Sequence, residues 1–271
     1  MQKLDFVNFK PHHFSATRED FLGNGDIGRY VFIPGSNGRA REIAEKYFKN
    51  IEVKTSSRGH DLYLGDLEHK GHIIKVAAIS TGMGTPSVDL ILSELIILGA
   101  KRFLRIGTAG SMQDDIKVGS VVFGTAAVRD ESTSTNYVPL SFPAISSLDL
   151  AVNAQNLGKT VTYPVYHGII HSKDSLYARE FLCGPSSDES ISFMNKMKAY
   201  GVVASEMECS HVYVLSQVYS QQFGYQIKSG CVLGIIGDSS PFADPALAAE
   251  TVIRAVDFGV NLIGELAVSE L

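Results

Sequence analysis

The chain is poor in cysteine and has no Cys-x-x-Cys pair. Its three cysteines, Cys183, Cys209 and Cys231, are odd in number and widely spaced. That pattern predicts free thiols in a reducing compartment and argues against a zinc site. A basic surplus is also missing. The formal net charge is −5 over 271 residues, whereas a nucleic-acid surface usually needs a basic face; only a local arginine cluster stays open. Long apolar runs are absent: stretches such as Ile73 to Ile79 fall far short of a membrane span. Charges interrupt the apolar residues of Met1 to Lys10, unlike a signal peptide. No repeat, low-complexity tract or linker breaks the chain. The expectation is a soluble cytoplasmic protein with no membrane or nucleic-acid partner. Its 45% hydrophobic and 20% charged residues are ordinary for that class. The length suits one α/β domain over residues 1–271 better than two small ones.

What is present is an alternation of strand-like and helix-like patterns. Strands are expected at Tyr30–Ile33, Ile73–Ser80, Arg102–Ile106, Ser120–Arg129, Thr160–His171 and Lys228–Ile236. Helices are expected at Arg39–Asn50, Pro86–Gly99, Leu148–Leu157, Glu189–Tyr200, Glu206–Gln222 and Pro245–Leu266. The apolar periods set these assignments, and Pro86 and Gly99 suit a helix start and stop. Near-continuous apolar strands alternating with helices predict a sheet covered on both faces.

Several segments carry chemistry. Arg102-Phe-Leu-Arg-Ile-Gly-Thr-Ala-Gly-Ser111 is a buried-strand run entering a glycine loop, with Arg105 just before it. Such an arginine either holds an anion against backbone N–H groups or pairs with a core carboxylate. The stretch Ser80-Thr-Gly-Met-Gly-Thr-Pro-Ser87 is no dinucleotide fingerprint, because Ser87 replaces the third glycine and the next strand carries Arg105 where an acidic residue belongs. Gly237-Asp-Ser-Ser-Pro241 lacks the elbow of a serine hydrolase, but Asp238 at a strand end suits acid–base work as well as a turn or cap. His167 and His171 have no third partner, which leaves metal binding unsupported. Ser205-Glu-Met-Glu-Cys209 puts two carboxylates around a methionine at an expected helix start. The macrodipole alone favours acids there; alternatively, one carboxylate accepts hydrogen bonds from a sugar diol while Met207 lies under the ring.

Together these pieces resemble the nucleoside phosphorylase family, most closely its uridine phosphorylase branch. The likeness runs from His13 to the last helix. It is carried by Ile33-Pro-Gly-Ser-Asn-Gly-Arg39, Ser80–Ser87, Phe103–Gly110, Ser141-Phe-Pro-Ala144 and Ser205–Glu208. The resemblance implies a three-layer α/β sandwich around a mixed, partly barrel-like sheet. It implies a pentosyltransferase that uses inorganic phosphate as co-substrate, with no other cofactor and no metal. On this likeness Gly35, Arg39, Arg105 and Thr108 bind phosphate, joined by Arg58 from a neighbouring subunit. Met207 and Glu208 bind ribose with Glu206 adjacent, and His13 reaches the ribose 5′-hydroxyl across a dimer. Arg105, Glu208 and Asp238 are the expected catalytic set, in a homodimer or a hexamer of dimers with shared sites.

The chain departs from the branch at the base. The uridine enzymes' Gln-x-Arg is missing from Lys173–Phe181, where Arg179 and Glu180 are the substitutes at hand. Asp238 stands where the purine branch keeps its base-protonating aspartate. Pro-Gly-Ser-Asn replaces the common Pro-Gly-Asp-Pro, and Gly59 replaces a glutamate beside Arg58. The expected activity is phosphorolysis of uridine. The alternatives are a purine nucleoside phosphorylase using Asp238, a nucleosidase using water, and a non-catalytic nucleoside-binding protein.

Overall fold

The computed structural model describes residues 4–238 and 244–271. Its elements run β1 (Tyr30–Phe32), α1 (Asn37–Tyr47), β2 (Phe48–Lys54), β3 (Leu62–His69), β4 (His72–Ala78), α2 (Thr85–Ile97), β5 (Arg102–Ser111) and β6 (Val121–Asp130). They continue with β7 (Ala144–Ile145), α3 (Leu148–Gly158), β8 (Val165–Lys173), α4 (Leu176–Arg179), α5 (Ser187–Ala199), β9 (Ala204–Glu206), α6 (Cys209–Phe223), β10 (Lys228–Gly237) and α7 (Pro245–Glu270).

All the strands join one mixed sheet in the order β10-β6-β8-β9-β5-β1-β4-β3-β2, with β7 on β6. A further parallel pairing of β10 with β5 closes β5, β10, β6, β8 and β9 into a ring, so that part of the sheet is a barrel. Two apolar clusters fill its faces. One packs Val88, Leu92 and Leu95 of α2 and Val212 and Leu215 of α6. The other packs Ile43 of α1, Leu150 of α3 and Phe258 and Leu262 of α7. This is the expected helix-covered α/β sheet.

Local signals explain the helix starts. Ser36 Oγ accepts the Arg39 N–H at 3.3 Å and Asp244 Oδ1 the Ala246 N–H at 3.0 Å, satisfying amides that a helix start leaves open. Pro86 and Pro245 sit in first turns, where the missing N–H costs nothing.

Four sequence expectations need correction. The glycine loop after Arg105 is strand: β5 continues to Ser111, paired with β10 and then β9. Glu206 does not begin a helix; it ends β9, paired between β5 and β8, and α6 begins only at Cys209. Helix α1 stops at Tyr47, because Phe48 turns into β2 and packs on Gly65, where a Cβ would come within 2.8 Å of Phe48 Cβ. Finally, Cys209 and Cys231 are not free thiols. The α6 N-terminus lies on β10, with Cα atoms 6.4 Å apart, and the two are disulfide-bonded; Cys183 is free and exposed.

Candidate active site at the ends of three parallel strands

Strand β1 lies between β4 and β5 and parallel to both. The C-terminal ends of the three strands therefore open side by side, where ligands of α/β sheets collect. From β1 comes the Pro34-Gly35 turn into α1, and from β4 the Ser80–Gly84 turn into α2. The second turn is tight: Gly82 has φ 75° and its absent Cβ would collide with Ser87, whose Oγ donates to Thr81 O at 2.6 Å.

Arg105 reaches into this junction from β5 with only 4% of its surface exposed. Its Nη1 donates to Thr81 Oγ1 at 3.0 Å and its Nη2 is ion-paired with Glu208 Oε2. The Nε lies 3.9 Å from Glu206 Oε2 and makes no hydrogen bond. The other Glu208 oxygen accepts the Gly84 N–H at 2.7 Å, so one carboxylate bridges the β4 turn and the β5 arginine. A Cβ on Gly35 would stand 3.5 Å from Gly82 O and 3.7 Å from Arg105 Nη2, so the Gly35 backbone packs close beside the guanidinium. Arg39, half-buried on α1, has no ion pair among the described residues; burial first, then repulsion from Arg105, holds its pKa below the usual arginine range. The two guanidinium groups are thus close enough to repel each other, and the carboxylates nearby face Arg105.

Glu206 lies behind this pair, 3% exposed. Its carboxylate accepts from Ser172 Oγ, from the Glu208 N–H at 2.7 Å and from the Cys209 N–H at 3.0 Å. Burial and the nearby Glu208 charge outweigh Arg105 and push its pKa up to about 7. Met207, between the two acids in sequence, is half-buried.

The remaining expected residues fall in four places. Thr108 is half-buried on β5, beyond Arg105. Within this chain His13 and Arg58 are linked through Ser56, and Glu94 accepts from the His13 ring Nδ1 at 2.8 Å and from the His13 N–H at 3.1 Å. Ser56 Oγ, which accepts the Arg58 N–H at 3.2 Å, donates to His13 O at 2.8 Å. The Arg58 side chain is exposed and makes no ion pair among the described residues. Asp238 directly follows β10 and is half-buried; residues 239–243 after it lie outside the described residues. Arg179 is not free to read a base, because its Nε and Nη2 clamp Asp130 at 2.8 and 3.0 Å. Glu180 is ion-paired with Lys173 at 2.6 Å.

A family model described as the phosphorylase superfamily matches residues 29–255. The chain belongs to the phosphorylase superfamily. This makes it an enzyme of the nucleoside phosphorylase type, a pentosyltransferase. The chain is similar to a uridine phosphorylase of Treponema pallidum, at 33% identity over 81% of each chain. It is similar to the Escherichia coli uridine phosphorylase at 29% identity over 94% of this chain and 96% of the relative. A purine nucleoside phosphorylase of Lactococcus lactis matches at 33% identity over 73% of this chain and 79% of its own. A solved uridine phosphorylase from Vibrio fischeri shares the fold with a TM-score of 0.76 at 22% identity, over 94% of this chain and 98% of its own.

Three supporting residues gave sequence reasoning no signal. Thr81 was legible only as part of a glycine turn, yet its hydroxyl fixes Arg105. Glu94 sits mid-helix with nothing local to mark it, and it is 5% exposed. Lys173 ends an apolar strand and is 2% exposed; no short-range pattern shows a buried lysine. No helix among the described residues is long and apolar enough to cross a membrane, and none of them cluster as a metal site of three or more His, Cys, Asp or Glu.

Proposed function

We propose that this phosphorylase cleaves the N-glycosidic bond of a nucleoside with phosphate, releasing free base and ribose 1-phosphate, with uridine the favoured substrate. The observation that carries this reading is the contact of Arg105 with Glu208. It sets an anion-binding cation directly beside a sugar-binding carboxylate at the strand ends. Arg105, with Arg39, the backbone at Gly35 and the Thr108 hydroxyl, takes the phosphate. Each Glu208 oxygen has one acceptor direction spent and another left, enough for the ribose 2′- and 3′-hydroxyls, with Met207 under the ring. Glu206 contacts no ligand in this reading; its filled carboxylate sets the turn that presents Met207 and Glu208.

In the reaction a phosphate oxygen forms a bond to C1′ as the C1′–N bond breaks, and that bond's electron pair leaves on the base, which takes up a proton. The guanidinium groups strip and orient a strongly hydrated dianion, which is positioning and electrostatic stabilisation together. Glu208 places negative charge near the sugar as C1′ becomes cationic. Arg58 and His13, joined to each other through Ser56, are assigned to the site of a second copy, so the working unit is a dimer or a hexamer of dimers. No cofactor besides phosphate enters, and the setting is cytoplasmic.

A purine substrate is the second reading, favoured by the purine nucleoside phosphorylase likeness and by the place of Asp238 as proton donor to the leaving base. Incubation with uridine, thymidine, inosine and adenosine, with and without phosphate, separates the readings by chromatography of free base. Phosphate-dependent uracil release supports the proposal. Release equal in both conditions means a nucleosidase, and binding without release means a non-catalytic protein.

A further inference from the structure

The loop between β2 and β3 carries Arg58, and its sequence folds it tightly. Ser56 O accepts the Gly59 N–H at 3.1 Å, which closes a turn over Ser56-Ser57-Arg58-Gly59 with serine first and glycine last, as such turns favour. Gly59 has φ 78°, a conformation that glycine alone enters freely. The Arg58 N–H donates back to Ser56 Oγ at 3.2 Å. Ser57, Arg58 and Gly59 are exposed, whereas Ser56, His60 and Asp61 are half-buried.

Asp61 ties this turn down. Its Oδ1 accepts the Ser56 N–H at 2.8 Å, so the carboxylate closes the loop across its base. Its Oδ2 accepts Asn37 Nδ2 at 2.9 Å, and its own N–H donates to Asn37 Oδ1 at 3.1 Å. Asn37 is the first residue of α1, two positions after Gly35 and two before Arg39. A second anchor is His60, whose Nδ1 is 3.0 Å from Ser80 O. A carbonyl only accepts, so the ring carries a hydrogen on Nδ1. Ser80 directly precedes Thr81, the residue whose hydroxyl fixes Arg105. The Arg58 loop is thus fastened to α1 just after the β1 turn, and to the β4 turn itself.

We propose that the reciprocal Asn37–Asp61 pair positions Arg58 for phosphate. This rests on the assignment above of Arg58 to phosphate in the site of a second copy. An exposed arginine on a loose loop must be ordered each time it meets an anion, and that ordering weakens binding. A loop clasped at its base holds the guanidinium where the anion arrives, and misplacement of such a group is costly. Asn37 and Asp61 are positioning residues, acting through Arg58 and not by contact with phosphate.

The test is steady-state kinetics on the full-length enzyme, varying phosphate and nucleoside in turn. Asn37→Asp sets two carboxylates against each other, and Asn37→Ala removes the clasp without adding charge. Each should lower kcat/KM for phosphate about 10-fold, no further than Arg58→Ala does, with KM for the nucleoside at saturating phosphate unchanged. The double variant Asn37→Asp/Asp61→Asn exchanges the two side chains and keeps all three hydrogen bonds: the carboxylate accepts both N–H groups from position 61, and the new amide oxygen still accepts from Ser56. It should restore phosphate use, whereas a pair that only stabilised the fold would move Tm and leave the kinetics of the folded enzyme alone. On an Arg58→Ala background, Asn37→Ala should cost phosphate nothing more, because the group it positions is gone. Wild-type phosphate kinetics in Asn37→Ala, no rescue by the exchange, or a full further loss on Arg58→Ala overturns the proposal. If Asn37→Asp fails to fold, Asn37→Ala still decides. Wild-type phosphate kinetics in Arg58→Ala, or base release that needs no phosphate, overturns the underlying reading and this proposal together; a loss in Arg58→Ala with none in Asn37→Ala overturns the proposal alone.

Discussion

Replacing Arg105 by Ala has two separable consequences. The residue is 4% exposed, and its side chain pairs with Glu208 and stands 3.9 Å from Glu206. Its loss leaves two buried carboxylates facing a gap, and breaking a buried pair costs about 3–5 kcal/mol. At roughly 2–4 °C per kcal/mol for a chain approaching this size, Tm should fall by about 6–20 °C. The second consequence concerns phosphate. A charge-assisted contact contributes roughly 1.5–3 kcal/mol, which is about a 10- to 150-fold loss in kcat/KM for phosphate. Adding Glu208→Gln to Arg105→Ala neutralises one stranded charge, so Tm recovers in part while phosphate use does not. Thermal melts and initial rates against phosphate concentration measure both. An Arg105→Ala protein with wild-type phosphate kinetics would refute the assignment of Arg105 to the anion, whatever its Tm.

Glu206→Gln should flatten part of the pH dependence of stability. With a folded pKa raised to about 7, Glu206 binds its proton more tightly folded than unfolded, so its contribution is lost as pH rises from the ordinary carboxylate range through about 7; denaturant melts across that window showing the same slope in both proteins would contradict this. Arg58→Ala and Arg105→Ala should each lose about 10- to 150-fold in phosphate use, yet mixing them through unfolding and refolding should restore about a quarter of wild-type activity if one site of each mixed dimer is intact. No recovery from mixed, correctly assembled dimers would place Arg58 outside the shared site. Glu270→Ala removes the carboxylate that Arg102, Lys228 and Tyr30 share at 3.0, 2.8 and 2.7 Å, and should cost about 3–5 kcal/mol in denaturant melts with KM unchanged. Burial alone pushes that carboxyl up, but its hydrogen bonds from Arg102, Lys228 and Tyr30 hold it below the usual range, so its contribution holds at neutral pH and fades as pH falls through the lowered value; a wild-type melt in Glu270→Ala would remove it from the account.

The parts of the fold legible in the sequence were those with continuous apolar runs or clear helix signals. β4, β5 and β10 are buried along most of their length, and α2 and α7 begin at prolines, so local chemistry marked them. β2 was missed because five of its seven residues are exposed, which leaves no alternation to read; only pairing with β3 makes it a strand. The acids after Ser205 looked like a helix start because acids favour one, but pairing with β5 and β8 draws Ala204–Glu206 into the sheet, a tertiary override of local preference. The same limit hid the site's supporting groups. Arg105 and Glu208 lie in recognisable segments, whereas the Cys209–Cys231 bond, the Glu94–His13 contact and the Lys173–Glu180 pair depend on which strand ends meet. Glu206 was read as a neighbour of Glu208, but its burial became visible only from the three donors that fill its carboxylate.

Phosphorus NMR of the protein with uridine and phosphate asks most directly whether a cation beside a carboxylate here means phosphorolysis. The expected spectrum shows inorganic phosphate falling as a sugar phosphate ester grows, mole for mole with uracil. Uracil released with no change in the phosphate signal would contradict it.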